Sequence, residues 1–320
     1  LFAKEQPDLN YHNEAVIEAI EEAMHFWLER GVAGFRCDVI NIIYKEAIKN
    51  GKWRPALTGS EYYLSTPGCH RVLHRLHEDV LAKYDAFTVG ETVFVTPKMA
   101  DDLVNPAHGE LSTVFAFEHM ETDCYKIKWF LRRFSPDRFF ACLTKWQKAL
   151  PWNTVYLENH DQPRSVSRFG NDTQYHDESA KALATLVLTL RGTPFLYEGQ
   201  EIGMTNFDFS DMEKVQDVES INIWNMGKQL HLPHSLRWRM IKTKSRDNAR
   251  TPMQWNDSPN AGFTTGTPWL SVNGNYPCIN AAKQENDPHS VLTYYRQLIA
   301  FRNGSEILQA GDFSELYRKD

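Results

Sequence analysis

The sequence is poor in cysteine, and no apolar stretch in it is long enough to cross a membrane. A membrane-spanning helix needs about 20 consecutive apolar residues. The five cysteines are odd in number, dispersed and free of C-x-x-C spacing: Cys37, Cys69, Cys124, Cys142 and Cys278. Such usage favours buried thiols in a reducing compartment over a disulfide framework. We therefore expect a cytoplasmic protein without a membrane partner.

Positive charge and nucleotide-binding motifs are also scarce. The formal net charge is -6, which counts against a nucleic-acid partner. The basic stretch from Arg237 to Arg250 is interrupted by apolar residues and predicts a partly exposed helix. Neither a G-x-G-x-x-G after the first predicted strand nor a G-x-x-x-x-G-K-[ST] occurs, so no nucleotide or other cofactor is expected.

What the sequence does contain is a series of apolar strands that each end in an acid. The stretch Val32–Ile40 presents Arg36 and Asp38, and alternation places both side chains on one face. Taken alone, this pair is equally well explained as an ion pair that anchors a loop. However, 86–91 ends in Glu91 and 154–161 ends in His160 and Asp161. Burying unpaired carboxylates is costly, so we interpret the three ends as one site at the carboxyl edge of a parallel sheet.

Helical periodicity alternates with the strands along most of the chain. Strands are predicted at 32–40, 86–91, 112–117, 154–161 and 194–197, and helices at 14–30, 68–84, 98–103, 136–149, 178–191 and 290–303. A long connection, 198–288, shows helical periodicity only in patches. Five strand-helix units indicate an α/β protein. Both an open doubly wound sheet and part of a (β/α)8 barrel fit this count.

Five motifs resemble a known family. Gly34-Phe35-Arg36-Cys37-Asp38, Gly90-Glu91 and Asn159-His160-Asp161 resemble three ordered signatures of the α-amylase superfamily of glycoside hydrolases. In that family they close the fourth, fifth and seventh barrel strands. Gln6–Asn10 and Ala249–Trp255 are similar to markers of its oligo-1,6-glucosidase and α-glucosidase branch. The likeness extends over essentially the whole chain.

The resemblance implies a (β/α)8 TIM barrel that is incomplete here. Strands 4 to 8 with their helices would be present, and the first three strands and the inserted domain would be missing. The family's first signature, Asp-x-x-x-x-Asn-His, has no counterpart, and the chain opens without methionine. We therefore expect residues 1–304 to form a partial catalytic barrel and 305–320 to begin a C-terminal β-sandwich domain. This chain by itself is expected to be inactive.

The resemblance also assigns roles to individual residues. It implies that Asp38 is the nucleophile, Glu91 the general acid/base and Asp161 the third carboxylate, which stabilises the transition state. Arg36 and His160 would bind sugar hydroxyls or orient the acids, and Arg250 would contact the terminal sugar. Val39 resembles the valine of enzymes that prefer α-1,6 bonds. The implied activity is a retaining, exo-acting α-glucosidase that hydrolyses isomalto-oligosaccharides by double displacement.

Two alternative functions stay open. Trehalose-6-phosphate hydrolase shares the Asn159–Arg164 motif and the Arg250 loop, and catalytically silent barrels of this fold exist. A metal site is conceivable on the predicted helix 68–84, where His70, His74 and His77 fall on one face. With no acid or cysteine at a telling position, we interpret these histidines as a solvated face and expect no metal. The oligomeric state is left open.

Overall fold

A computed structural model describes residues 5–53 and 57–316 of the chain. Within these residues twelve α-helices form: α1 Glu14–Leu28, α2 Pro67–Asp79, α3 Pro97–Val104, α4 Pro136–Ala149, α5 Ser165–Phe169, α6 His176–Thr189, α7 Val218–Gln229, α8 His234–Lys244, α9 Asp247–Arg250, α10 Ala281–Gln284, α11 Val291–Asn303 and α12 Glu306–Ala310. All six predicted helices are therefore confirmed, with ends shifted by a few residues.

Seven strands accompany them: β1 Gly34–Cys37, β2 Phe87–Glu91, β3 Thr113–Phe115, β4 Cys124–Tyr125, β5 Ile127–Leu131, β6 Thr154–Val155 and β7 Thr193–Pro194. Strands β1, β2 and β3 form a parallel sheet in that order, whereas β4 pairs antiparallel with β5, and β6 pairs with β7. The five predicted strands are present but shorter than expected. The β4–β5 hairpin was not predicted.

The chain divides into two compact units, which we describe separately. The first comprises residues 1–119 and 145–154, and the second comprises 120–144 and 155–320.

The first unit is built on the three-stranded parallel sheet. Gly34 of β1 lies opposite Phe87 of β2, and a Cβ at position 34 would stand 1.8 Å from the Phe87 carbonyl oxygen. Only glycine permits this close approach of two backbones. Thr66 caps α2 by accepting a hydrogen bond from the Cys69 amide, and α2 packs on α1 through Ile17, Val72 and Leu76.

The second unit has two apolar clusters. In one, α6 packs against α11, with Ala184, Leu188 and Tyr295 buried between them. In the other, α7 and α8 pack with Trp129 of β5. Helices α8 and α9 confirm the helical prediction for the basic stretch. Segment 198–288 also contains α7 and α10, so it is more helical than its sequence periodicity suggested.

No helix in residues 5–53 and 57–316 has the length and apolar character needed to span a membrane. No disulfide joins the five cysteines, which all lie in the described residues; Cys69, Cys124 and Cys142 are buried, whereas Cys278 is exposed.

Candidate active site

The carboxyl ends of β1 and β2 bring two of the predicted acids onto one guanidinium. In the parallel register Arg36 pairs with Val89 and Cys37 with Gly90, so the two strands end side by side. Arg36 Nη1 donates to Asp38 Oδ1 at 2.5 Å, and Arg36 Nη2 donates to Glu91 Oε2. Both carboxylates therefore contact the same guanidinium group. Asp38 is 70% exposed and Glu91 is 15% exposed at the side chain.

Arg36 remains charged in this setting. Burial disfavours its charge, but the hydrogen bond to Asp38 and the charges of Glu91 and Asp38 outweigh burial, so the pKa of the guanidinium is raised. Its two terminal nitrogens each hold one carboxylate oxygen, so a single positive charge serves both acids. Cys37 takes no part in this arrangement, because burial, only partly offset by Arg36, raises the pKa of its thiol to about 11.

The residue after Asp38 has an unusual backbone. Val39 adopts φ 41° and ψ 39°, in the left-handed region, and a 3-10 turn follows at Ile40–Ile42. A β-branched residue rarely adopts a positive φ, and such strain concentrates at functional sites. Asp38 therefore lies just beyond the end of β1, and Asn41, inside the turn, is already buried.

Asn41 fixes the loop after β1 to the loop after β2. Its Nδ2 donates to the Val93 carbonyl at 2.9 Å, and its Oδ1 accepts from the Val93 amide at 3.0 Å. Val93 lies two residues after Glu91. The loops that present Asp38 and Glu91 are thus locked together, which the sequence did not reveal.

The second unit presents Asp161 to a group of cations. Arg250 Nη2 donates to Asp161 Oδ1 at 2.6 Å, and Arg250 Nε donates to the His160 carbonyl at 2.8 Å. His160 Nε2 lies 3.4 Å from Asp161 Oδ2. His160, Asp161 and Arg250, each predicted from sequence, are therefore adjacent.

Arg246 completes this group and was missed by sequence analysis. Its Nη1 lies 3.5 Å from Asp161 Oδ1, and its Nε donates to Asp217 Oδ1 at 2.8 Å. Burial opposes ionisation of Asp217, but hydrogen bonds from Ser220 and Arg246 prevail and lower its pKa. Asp217 also caps α7. Arg246 is therefore held by a buried carboxylate while it faces Asp161.

The three histidines of α2 are engaged separately. His70 Nδ1 lies 2.8 Å from the buried Glu110 carboxylate, His74 Nδ1 contacts the His108 carbonyl, and His77 Nδ1 contacts Glu78. In the part of the chain that the structure describes, no three histidine, cysteine, aspartate or glutamate side chains are grouped to hold a metal ion. His70 is also less solvated than predicted, because its partner Glu110 is buried.

These geometries suit glycosyl transfer. Retaining hydrolysis of a glycoside needs two neighbouring carboxyl groups, one ionised and one able to deliver a proton. Asp38 and Glu91 are two neighbouring carboxyl groups of this kind, held on one guanidinium. At Asp161 the carboxylate can accept hydrogen bonds from sugar hydroxyls, and the neighbouring guanidinium and imidazole groups can donate to them.

Comparison with known proteins agrees with this chemistry. Residues 1–311 match the family model described as alpha amylase, catalytic domain. The chain is 46% identical over 330 residues to an oligo-1,6-glucosidase of Parageobacillus thermoglucosidasius, covering 100% of this chain and 58% of that protein. It is 40% identical over 326 residues to a trehalose-6-phosphate hydrolase of Bacillus subtilis strain 168, covering 100% of this chain and 57% of that protein.

Solved structures give the same result. The crystal structure of isomaltulose synthase from Klebsiella sp. LX3 superposes with a TM-score of 0.94 at 36% identity, over 99% of this chain and 58% of that chain. The trehalose-6-phosphate hydrolase of Bacillus licheniformis superposes with a TM-score of 0.90 at 42% identity, over 97% and 56%. The chain thus spans less than two thirds of the length of the proteins it matches. Its fold is that of the (β/α)8-barrel catalytic domain.

Proposed function

The chain belongs to the alpha-amylase catalytic-domain family, and on this premise we propose that the protein carrying it is a retaining, exo-acting α-glucosidase. Its substrates are isomalto-oligosaccharides, from which it releases glucose by hydrolysing α-1,6 bonds. The observation that carries this proposal is the pair of strand-end carboxylates, Asp38 and Glu91, on the single guanidinium of Arg36. The similarity to oligo-1,6-glucosidases supports the choice of substrate.

The reaction proceeds by double displacement. Asp38 attacks the anomeric carbon while Glu91 protonates the departing glycosidic oxygen, which leaves a glucosyl ester on Asp38. Glu91 then removes a proton from water, which attacks the same carbon and releases glucose. The configuration is retained because each step inverts it. Arg36 keeps Asp38 ionised and aimed.

Asp161, His160 and Arg250 act on the sugar ring rather than on the bond that breaks. We propose that Asp161 is the third catalytic carboxylate and that it stabilises the oxocarbenium-like transition state. His160 and Arg250 bind hydroxyl groups of the terminal glucosyl unit. The 2.6 Å hydrogen bond from Arg250 orients the Asp161 carboxylate.

Val39 governs linkage preference in this proposal. It follows the nucleophile directly, and its strained backbone fixes the direction of its side chain. A methyl group there, in place of the hydroxyl of threonine, favours the α-1,6 linkage. The preference is graded, since one such exchange contributes a few kcal/mol at most.

The remaining assignments concern the whole protein. We propose that this chain supplies barrel strands 4 to 8, with residues 1–304 in the catalytic barrel and 305–320 beginning a C-terminal β-sandwich. We also propose a cytoplasmic location, supported by five cysteines of which none is in a disulfide, and a small oligosaccharide as partner, with no cofactor, metal, nucleic acid or membrane involved.

Trehalose-6-phosphate hydrolase is the second candidate, because the chain is 40% identical to one such enzyme. The test is a substrate panel with the whole protein: isomaltose, maltose, trehalose 6-phosphate and trehalose. We expect isomaltose to be hydrolysed with the highest kcat/KM and to release α-glucose first, as followed by proton NMR. Activity that requires the phosphate would select the second candidate, and initial release of β-glucose would contradict retention.

A further inference from the structure

Arg164 is a completely buried arginine three residues after Asp161. Its side chain and that of its partner Glu158 are each 1% exposed. Arg164 Nη1 lies 3.1 Å from Glu158 Oε2 and donates at 2.6 Å to the carbonyl of Glu198, beyond β7. Ser165 binds the other oxygen of Glu158 through its amide and its hydroxyl. The buried pair therefore joins the end of β6, the start of α5 and the end of β7.

Stability alone does not account for this pair. A buried ion pair often contributes less than well-packed apolar side chains would, because both charges lose their hydration. Moreover, Arg164 Nε is buried and has no hydrogen-bond partner among the described residues. An arginine at such a position is explained better by the geometry that it imposes on its neighbours.

That geometry includes the Arg250 helix. Arg164 Nη2 donates to the Ala249 carbonyl at 3.3 Å, and Tyr197 Oη donates to the same oxygen at 3.2 Å. The next residue, Arg250, reaches back to the His160 carbonyl and to Asp161. Two sets of hydrogen bonds thus join the loop after β6 to helix α9. Arg164 of the loop binds the main chain of the helix at 249, and the side chain of Arg250 binds the loop at 160–161.

We propose that Arg164 is a positioning residue that sets the Arg250–Asp161 contact, acting through the Ala249 carbonyl. It touches neither substrate nor reacting atoms. The inference has a geometric part, the position of Arg250 against Asp161, and a catalytic part, the effect of that position on kcat. Only the catalytic part rests on the proposed function, because the geometric part concerns contacts within one unit. Lysine at position 164 can still pair with Glu158, but one ammonium group cannot also replace the planar fork that reaches Glu198 and Ala249.

The geometric part is tested by crystal structures of the whole protein with Arg164→Lys and with Tyr197→Phe. In Arg164→Lys we expect Arg250 Nη2 to move beyond hydrogen-bond distance of Asp161 Oδ1, or to occupy several conformers. Tyr197→Phe removes only one of the two donors to Ala249 and keeps the inference testable if the first variant does not fold. We expect a smaller displacement of Arg250 in the same direction. An unchanged Arg250–Asp161 contact in the variants that fold would overturn the inference, whatever the enzyme's substrate.

The catalytic part is tested by a double-mutant cycle on isomaltose. Arg164→Lys should lower kcat at least tenfold with KM changed less than threefold, since misplacing a catalytic group acts mainly on the transition state. In an Arg250→Ala background the same change should cost less than threefold. Tyr197→Phe should show the same pattern with smaller losses.

The matched control is Arg302, another buried arginine, which donates to the carbonyls of Leu188, Leu190 and Gly192. Arg302→Lys should lower thermal stability with kcat unchanged within twofold. If the losses of kcat caused by Arg164→Lys and Arg250→Ala multiply fully in the double variant, the two residues act independently and Arg164 is only structural. An equal loss of kcat in Arg302→Lys would lead to the same conclusion. A parent protein without glucosidase activity would refute the proposed function instead, and the crystal structures would still decide the geometric part.

Discussion

The side chain of Asn41 exchanges two hydrogen bonds with the main chain of Val93, one as donor at 2.9 Å and one as acceptor at 3.0 Å. These bonds join the turn after Asp38 to the loop after Glu91. The two proposed catalytic carboxylates are therefore fixed relative to each other by a buried amide as well as by Arg36. Asn41 has no direct role in the proposed chemistry, so its effect on activity must come through position.

Asn41→Ala should impair both folding and turnover. It leaves the amide and carbonyl of the half-buried Val93 without this partner, which costs at most about 1–3 kcal/mol per group in free energy of unfolding. We also expect kcat on isomaltose to fall at least tenfold at temperatures where the variant is folded. Urea unfolding and steady-state kinetics measure the two effects. Asn153, a buried asparagine that donates to the Trp146 carbonyl, is the control; an equal loss of kcat in Asn153→Ala would refute a special role for Asn41.

Val39→Thr should shift linkage preference. Threonine keeps the β-branch, and so it keeps the strain of the left-handed backbone at φ 41°. Any change in the ratio of kcat/KM for isomaltose to that for maltose then reports the hydroxyl. We expect the ratio to fall by roughly tenfold, within the few kcal/mol that such an exchange contributes. An unchanged ratio would remove Val39 from the specificity site.

His70 should make the stability of the protein depend on pH. The hydrogen bond to Glu110 raises the pKa of His70; burial opposes the shift, and the charges of Glu110 and Asp102 add to it. Because the folded state binds this proton more tightly, the stabilisation is complete below the unfolded pKa of about 6.5 and is lost as pH rises through the folded pKa. His70→Gln should therefore destabilise the protein more at pH 6 than at pH 9 in urea unfolding.

Removing the carboxylate provides the control for this effect. Glu110→Gln should abolish most of the difference between pH 6 and pH 9 that depends on His70. A pH dependence that survives Glu110→Gln would show that another group causes it.

Asp123 holds a buried charge cluster in the second unit. It accepts hydrogen bonds from Arg168 and from Lys244 Nζ, each at 2.7 Å, and all three side chains are almost fully buried. Burial raises the pKa of Asp123, but the two cations outweigh burial and lower it to about 2. Asp123→Asn should cost about 3–5 kcal/mol in free energy of unfolding, because two buried cations lose their partner. Lys244→Met should cost much less, since Arg168 still pairs with Asp123; equal losses would contradict this account.

The proposed site residues could be identified from sequence because their signals are local. Apolar runs that end in acids marked Asp38, Glu91 and Asp161. Glu91 is the last residue of β2 and Asp38 directly follows β1, whereas Asp161 lies six residues after β6. Arg36 was assigned through the two-residue period of the strand, and its contact with Asp38 confirms that they share a face. The contact of Arg36 with Glu91 depends instead on the β1–β2 register, which no local pattern encodes.

The supporting residues could not be found in this way. Asn41 and Arg164 are polar side chains with no position in any periodic pattern, and their partners lie 52 and 85 residues away. Arg246 was included in a basic helix, yet its contacts with Asp161 and Asp217 depend on tertiary packing. The β4–β5 hairpin was missed because β4 has only two residues and the tight connection at Lys126 has no glycine. Lys126 adopts a positive φ of 58° there.

The most direct test of the account compares Glu91→Gln and Asp38→Asn in the whole protein on two substrates. One is isomaltose, whose leaving group needs protonation, and the other is an aryl α-glucoside with a leaving group that needs none. Glu91→Gln should lower kcat/KM at least a thousandfold for isomaltose and far less for the aryl glucoside, because only the first requires the acid. Asp38→Asn should abolish both reactions, because no glucosyl ester can form. Equal losses for the two substrates in Glu91→Gln would contradict the assignment of Glu91 as the acid and, with it, the central claim.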